Sequence, residues 1–298
     1  MMIASNHYDS HPFDFWELLK PRVMSLVIFT AFCGMMLAPG HIHPLLGFSS
    51  IFCIAVGAGA SGCLNMWCEI HRDTVMLRTQ SRPLPSGRID PNSALAFGII
   101  LSLLSVGMLG LVSNWRASAY LLTTILFYVF VYTLYLKPRT PQNIVIGGAA
   151  GALPPVIGWV CVTGHADWPA WILFLIIFLW TPAHFWALCL EQHDDYETAG
   201  LPMLPITHGE EVTRRGILRY TFLTVVSSFS LIYFTKLGLV YAIAATVLGA
   251  LFMAEAYHVY YKKIPSKRLF FISIIYLFLL FSSMLMNRFF LFIGSFFV

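Results

Sequence analysis

Nine long apolar stretches follow one another along the chain, separated by polar segments. They cover residues 23–40, 45–66, 92–113, 117–136, 143–163, 169–190, 217–236, 238–261 and 269–292. A hydrocarbon core about 30 Å thick takes roughly 20 apolar residues in a helix. A transmembrane β-barrel would instead alternate in polarity over segments of about 10 residues. The pattern predicts an all-α polytopic integral membrane protein with nine transmembrane helices, forming one domain over residues 1–298.

Two of the connecting segments, residues 67–91 and 191–216, are long and polar, and we interpret them as the loops that carry an active site. When residues 1–22 are placed in the cytoplasm, all but three of the 18 Lys and Arg residues fall on that side. This asymmetry follows the positive-inside rule and puts both loops in the cytoplasm. Phe13 and Trp16, close to basic residues, indicate a short helix on the membrane surface.

Composition supports the same class of protein. Hydrophobic residues make up 58% of the chain and charged residues 11%, whereas soluble domains carry about 25% charged residues. The net charge is only +4, and no basic stripe with interleaved aromatic residues is present. We therefore expect the lipid bilayer, and no nucleic acid, among the partners.

An internal repeat joins the two polar loops. Pairs at an offset of 122 residues are Glu69 and Glu191, Asp73 and Asp195, and Pro83 and Pro205. The repeat predicts two four-helix halves plus a ninth helix, with the acidic motifs facing each other across a pseudo-two-fold axis.

The acidic motifs are candidates for a metal site. Asn65, Glu69 and Asp73 stand at i, i+4 and i+8, so a helix continuing out of the second span would place them in one stripe. Oxygen ligands of this kind suit Mg²⁺. Asp194 and Asp195 lie in the matching position of the second half. The alternative is that these are ordinary acids at solvated helix ends.

Basic residues accompany the first motif. Arg78 and Arg82, one helical turn apart, could fork onto phosphate oxygens. Lys137 and Arg139, after the fourth span, could complete the clamp, although positive-inside bias also explains basic residues here. Carboxylates that hold Mg²⁺, surrounded by basic side chains, describe a diphosphate site.

The fifth and sixth spans contain residues that are unusual in a membrane. The glycines and prolines of residues 147–155 predict an irregular fifth span, which is tolerated where it lines a cavity. His184 lies in the sixth span, and a histidine in this position is usually functional. Its alternative is a structural hydrogen bond to a neighbouring helix.

Long sequence segments then indicate a family. The run NMWCEIHRDTVMLRTQSRPLPSG, residues 65–87, resembles the first signature of the membrane prenyltransferases of the 4-hydroxybenzoate polyprenyltransferase superfamily. RTQSRPLP, KPRTPQNIVIGGAAGALPPVIGW (137–159) and the segment from WTPAHFWAL to DDYETAGLPMLP (180–205) are similar to the branch that farnesylates haem. The resemblance runs from about residue 15 to the ninth span.

The resemblance implies a fold, substrates and a cellular place. It implies helices around a central cavity, Mg²⁺ as cofactor, farnesyl diphosphate as donor and haem b as acceptor. The implied reaction joins the farnesyl group to a haem vinyl group with addition of water, giving haem O and diphosphate. The implied location is a bacterial inner membrane, with a haem A synthase or terminal oxidase assembly as partner.

The motifs and the resemblance together assign roles to individual residues. Catalytic roles are expected for Asp73, Arg78, Arg82 and Asp195, diphosphate contacts for Arg78, Arg82, Lys137 and Arg139, metal contacts for Asn65, Glu69, Asp73, Asp194 and Asp195, and haem contact for His184. The repeat makes Glu191 the counterpart of Glu69, but the resemblance makes it a dispensable surface residue, and our interpretation follows the resemblance.

Two other functions fit part of the pattern. A prenyltransferase of this superfamily could use a quinone-ring precursor or a chlorin as acceptor, although the T-P-x-H-F-W and T-P-Q-N segments argue against it. A transporter also has repeats, but it would place its polar residues within the spans. Here the acids cluster at the membrane surface.

Overall fold

The computed structural model describes residues 10–235, 237–261 and 264–294, which are mostly helical with no strand among them. The helices are α1 Pro12–Leu18, α2 Pro21–Leu37, α3 Pro44–Cys68, α4 Ile70–Asp73, α5 Pro91–Val112, α6 Trp115–Leu126 (continued by a π-helix, Phe127–Leu136), α7 Asn143–Ala152, α8 Pro154–Thr163, α9 Trp168–Glu191, α10 His193–Thr198, α11 Leu204–Phe234, α12 Leu239–Tyr261 and α13 Lys267–Gly294.

The helix lengths confirm a multi-pass membrane protein. Within the described ranges, eight segments are long and apolar enough to cross a bilayer, and α7 with α8 counts as one of them. The pair α1 and α2, bent by 54°, makes a ninth. The predicted end of the seventh span, Lys236, lies outside the described residues. The second predicted loop, residues 191–216, contains α10 and the first residues of α11, which is broken at Gly209 (φ 79°, ψ 167°).

The internal repeat is visible in the helix starts. Four starts in the first half recur 122 to 124 residues later: Pro21 and Asn143, Pro44 and Trp168, Ile70 and His193, Trp115 and Leu239. Helix α13 follows the second half as the additional span. This confirms two four-span halves followed by a ninth helix.

The fifth span is broken, as its prolines predict. Helix α7 ends at Ala152 and α8 begins at Pro154, because Pro154 and Pro155 have no N–H to continue the hydrogen-bond ladder. A Cβ on Gly34 of α2 would lie 2.0 Å from the Pro155 carbonyl oxygen, and one on Gly158 would lie 2.0 Å from the Ala31 carbonyl oxygen. Helices α2 and α8 therefore pack backbone to backbone, which fixes α2 beside the break.

A sharp bend joins α1 to α2 at Lys20. Lys20 has φ 51° and ψ 52°, the left-handed conformation that side chains rarely adopt, and is the only such non-glycine residue in the described ranges. Gly59 of α3 makes room for the bend, because a Cβ there would lie 3.1 Å from the Leu19 Cβ. Arg88 anchors α1 through ion pairs with Asp14 and Glu17. The bend turns the Lys20 side chain towards α3.

The predicted continuous helix through the first acidic motif is wrong. Helix α3 ends at Cys68, and Glu69 (φ −106°, ψ 9°) starts the separate short helix α4. The residues after α4, up to Arg88, form turns, so Arg78 and Arg82 are not on a helix.

Candidate active site

One cavity of about 510 Å³ lies between α2, α3, the π-helix, α7, α9 and α13. Its polar end is lined by charged and amide side chains: Lys20, Arg22, Asn65, Glu69, Asp73, Arg78, Arg82 and Lys137. Mostly apolar side chains of α2, α9 and α13 line the rest, which we call the deep end. A cavity of this size and character is typical of a small-molecule site.

Each predicted ligand of the first motif is buried and held by a basic side chain. Asn65, Glu69 and Asp73 are only 3%, 3% and 4% exposed. The contacts are Lys20 Nζ to Asn65 Oδ1 at 2.6 Å, Lys137 Nζ to Glu69 Oε1 at 2.5 Å, and Arg82 Nη1 to Asp73 Oδ2 at 2.7 Å. Asn65 also donates to Glu69 Oε2 at 2.9 Å. The broken helix therefore still brings the three side chains to one place.

The cluster is electrostatically coupled. Burial, and then the nearby Arg82, lower the pKa of Lys20 to about 7. Burial alone would raise the pKa of Glu69, but the Lys137 ammonium outweighs it and the pKa lies below its usual value. Burial likewise opposes the charge on Lys137, yet Glu69 raises the pKa of this ammonium. Glu69 and Lys137 are therefore a charged pair.

The polar end carries an excess of positive charge. Five basic side chains line it against two carboxylates. Three of the five have no ion-pair partner within the described ranges: Lys20 donates only to the Asn65 amide oxygen, and the guanidinium groups of Arg22 and Arg78 have no carboxylate partner. A polyanion entering the cavity would meet these groups, whose charges are not already neutralised.

The π-helix, Phe127–Leu136, shapes one wall of the polar end. Its extra residue per turn brings Tyr128, Tyr132 and then Lys137 into the cavity lining, and such insertions often occur at functional sites. Thr133 accepts a hydrogen bond from Asn65 Nδ2 at 3.0 Å. Gly147 of α7 makes room, because a Cβ there would lie 2.1 Å from the Tyr132 ring.

The second acidic motif is used differently from the first. Asp195 accepts the backbone N–H groups of Leu77 and Arg78, at 3.2 and 3.4 Å, so it contacts the loop that follows the first motif and not the motif itself. Asp195 does not itself line the cavity. Its two hydrogen bonds instead hold the loop that carries Arg78.

Glu191 and Asp194 lie away from the cavity. Glu191 accepts hydrogen bonds from Ser266 Oγ at 2.9 Å and from the Lys267 N–H at 3.0 Å, which caps the start of α13. The Asp194 side chain is fully exposed and lies 3.5 Å from His193 Nδ1. Glu191 is thus a structural residue, an outcome that neither the repeat nor the resemblance indicated.

Arg139 also lies outside the cavity lining. Its Nη1 donates to the carbonyls of Leu134 and Tyr135 at the end of the π-helix, and its guanidinium lies over the Tyr135 ring. The structure therefore separates Arg139 from Lys137, although the two are close in sequence.

His184 lines the cavity wall between two aromatic rings. Its ring stacks on Trp180 and Phe270, with centroids 4.2 and 4.5 Å apart. Its Nδ1 lies 2.7 Å from Ser273 Oγ, and Ser273 donates to the Phe270 carbonyl at 2.6 Å. Because the Ser273 hydroxyl donates to the Phe270 carbonyl, the tautomer that fits this contact has its proton on Nδ1 and leaves Nε2 unprotonated. A structural hydrogen bond through Nδ1 is therefore compatible with a ligand role for Nε2.

The donor set of the first motif fits Mg²⁺. The Asn65 amide oxygen and the carboxylates of Glu69 and Asp73 are hard oxygen ligands, and all three line the same cavity. Mg²⁺ commonly takes one or two carboxylates and completes its shell with water and phosphate oxygens. The excess positive charge beside them suits the phosphate groups.

Such an arrangement defines a membrane enzyme that binds a diphosphate in a helical cavity. Residues 27–282 match the UbiA prenyltransferase family, and the chain belongs to this family. It is 55% identical to the protoheme IX farnesyltransferase of Rhizobium rhizogenes over 283 residues, which cover 92% of this chain and 88% of that protein. The enzyme of the same name from Rhizobium meliloti is 54% identical over 282 residues, covering 92% and 89%.

Solved structures show the same fold. A digeranylgeranylglyceryl phosphate synthase superposes with a TM-score of 0.77 at 20% identity, covering 93% of this chain and 98% of that one. A UbiA homolog from Archaeoglobus fulgidus bound to DMAPP and Mg²⁺ has a TM-score of 0.62 at 16% identity, covering 91% and 99%. The family predicted from the sequence motifs is confirmed.

Proposed function

We propose that the protein transfers the farnesyl group of farnesyl diphosphate to a vinyl group of haem b, with addition of water, giving haem O and diphosphate. The observation that carries the proposal is a single cavity with a positively charged polar end, hard oxygen ligands and an apolar deep end. The similarity to protoheme IX farnesyltransferases over 92% of the chain supports the choice of substrates.

The polar end would hold the diphosphate. Asn65, Glu69 and Asp73 would hold Mg²⁺, which when bound supplies positive charge next to the phosphate oxygens. Arg78 and Arg82 would contact the phosphate oxygens, and Lys137 would add a third cation. Charge placed around the departing diphosphate favours the transition state for its departure. Asp195 would act as a positioning residue, through the amides of Leu77 and Arg78.

The reaction proceeds without a covalent enzyme intermediate. The bond between the farnesyl C1 and the diphosphate oxygen breaks, and the oxygen keeps the electron pair. The π electrons of the vinyl group form the new carbon–carbon bond, leaving a cation on the carbon next to the porphyrin ring. Water adds to that carbon and loses a proton, which yields the hydroxyethylfarnesyl group.

The part of the cavity wall that contains His184, Trp180 and Phe270 would hold the haem. His184 presents an unprotonated Nε2, which can bind iron but cannot donate to a propionate carboxylate. Iron ligation is therefore the role that we assign to His184, in preference to a propionate contact. Its stacking between Trp180 and Phe270 fixes the ring plane.

The proposal includes a cellular setting. The distribution of Lys and Arg favours an N-terminus in the cytoplasm, so the polar end would open towards soluble farnesyl diphosphate. The inner membrane of a bacterium is the expected location, with a haem A synthase or a terminal oxidase assembly receiving the product.

Product analysis tests the proposal. Purified protein in lipid nanodiscs receives haem b, farnesyl diphosphate and Mg²⁺, and a parallel sample receives 4-hydroxybenzoate in place of haem. We expect a haem product whose mass has increased by one farnesyl group and one hydroxyl group, formed only with Mg²⁺. Prenylated 4-hydroxybenzoate with unchanged haem would overturn the choice of acceptor.

A further inference from the structure

We propose that Gly151 sets the length of the prenyl chain that the cavity accepts. Gly151 is the next-to-last residue of α7, immediately before the break in the fifth span, and it lines the cavity. The inference rests on the proposed function, since it concerns the donor substrate of that reaction.

Gly151 lies at the deep end. On α2 the lining runs from Arg22 to Thr30, and on α9 it runs from Leu188 to Ile177. At 1.5 Å per residue, these stretches reach about 12 and 16 Å from the polar end. A Cβ on Gly148, one turn before Gly151, would lie 3.1 Å from Thr181 Cβ, so Gly151 falls near the level of Ile177.

The space beside Gly151 belongs to the cavity and not to a packed neighbour. A Cβ built on Gly151 meets no atom within 4 Å among the described residues, whereas one on Gly147 would lie 2.1 Å from a Tyr132 carbon. Gly147 is therefore required by helix packing, but Gly151 is not. The missing side chain at Gly151 leaves open volume where the cavity ends.

The farnesyl chain is the substrate part that reaches this volume. Its diphosphate is held at the polar end, so the chain must extend towards the deep end. Each five-carbon unit adds four bonds of about 1.5 Å, hence on the order of 5 Å when extended. Three units match the depth of about 16 Å along α9, and the four carbons of a leucine would take the place of the last unit.

Competition between diphosphates of different length tests the inference. Gly151→Leu and Gly151→Ala are compared with the parent protein, using farnesyl and geranyl diphosphate with haem b. The matched control is Gly107→Leu in α5, where a Cβ also meets no atom within 4 Å but which is not part of the cavity lining. The readout is the ratio of kcat/KM for the two diphosphates.

We expect Gly151→Leu to lower the farnesyl-to-geranyl ratio at least tenfold, as misfitting hydrocarbon in an apolar pocket costs about 10- to 200-fold. Gly151→Ala should shift the ratio in the same direction by less, and Gly107→Leu should leave it unchanged. An unchanged ratio in Gly151→Leu would overturn the inference. So would an equal loss with both diphosphates and a raised KM for haem, since Gly151 would then face the acceptor.

A binding measurement separates this inference from the proposed reaction. Protection against thermal unfolding by each diphosphate, with Mg²⁺ and without haem, reports chain length alone. The parent protein could make no haem O and still bind farnesyl diphosphate in preference to geranyl diphosphate. If Gly151→Leu then loses that preference, the proposed acceptor fails and the inference stands. If Gly151→Leu does not fold, Gly151→Ala decides the question by the same measurement.

Discussion

The two acidic segments occupy matching places in the two halves of the molecule, but their carboxylates make different contacts and have different roles. Residues 65–82 turn their carboxylates into the cavity, where each is paired with a basic side chain. Residues 191–198 turn theirs to backbone N–H groups or to the surface. One copy of the motif concentrates charge, and the other fixes the elements around it. Similar sequence at a fixed offset therefore does not establish a shared role.

The largest effect is expected where charge faces the cavity. Asp73→Asn removes one negative charge but keeps an oxygen that can accept from Arg82. Turnover should fall on the order of 100-fold or more, and the midpoint of thermal unfolding should fall modestly, because Arg82 loses its buried anionic partner. Steady-state kinetics and a thermal melt check both parts. Turnover close to the parent rate would remove Asp73 from the site.

Lys20 tests whether the charge cluster extends beyond the first motif. Lys20→Met keeps the length of the side chain and removes the buried cation that donates to Asn65. We expect the KM for farnesyl diphosphate to rise about tenfold or more, since a hydrogen bond from a charged group contributes roughly 1.5–3 kcal/mol. Arg139→Met is the control, because Arg139 does not line the cavity. Equal effects of the two substitutions would contradict the cluster.

Asp195 tests the indirect role of the second segment. Asp195→Asn weakens the hold on the amides of Leu77 and Arg78, so turnover should fall about five- to tenfold. Hydrogen exchange at these two amides should become faster, which a direct ligand role would not require. Asp194→Asn is the matched control at the exposed neighbour and should change neither quantity. Slower turnover with unchanged exchange would indicate direct contact with the substrate.

The smallest effect on chemistry is expected at Glu191. Glu191→Ala removes the cap of α13 and should lower the stability by about 1 kcal/mol, with turnover within twofold of the parent. Glu191→Gln keeps an accepting oxygen and should behave like the parent in both measurements. A large loss of turnover in Glu191→Gln would indicate that Glu191 has a role in the reaction like that of Glu69.

Much of the fold could be predicted from the sequence, because hydrocarbon thickness fixes the length of each apolar stretch. The break at Pro154 was predictable too, since proline cannot donate to the helix ladder. The position of the Lys20 side chain could not be predicted. Its side chain reaches Asn65 only because a left-handed bend turns it inward, and no local pattern around Lys20 indicates this conformation.

The candidate site was predicted in part. Asn65, Glu69, Asp73, Arg78, Arg82, Lys137 and His184 all line the cavity, as expected for site residues. The stripe argument that first grouped Asn65 with Glu69 and Asp73 was nevertheless wrong, because α3 ends before Glu69. Tyr128 and Tyr132 were missed. Two tyrosines one turn apart in an apolar span were the available signal, but the π-helix that turns them inward has no such signature.

The ion pairs at the polar end have a thermodynamic consequence. A divalent cation bound by Glu69 and Asp73 would share their carboxylates with Lys137 and Arg82, and a lone metal would weaken both ion pairs and repel the two cations. A diphosphate supplies new partners for both. Each ligand thus lowers the free energy needed to bind the other, and by linkage the coupling is equal in both directions. Metal and diphosphate should therefore bind with positive cooperativity, and weakly when alone.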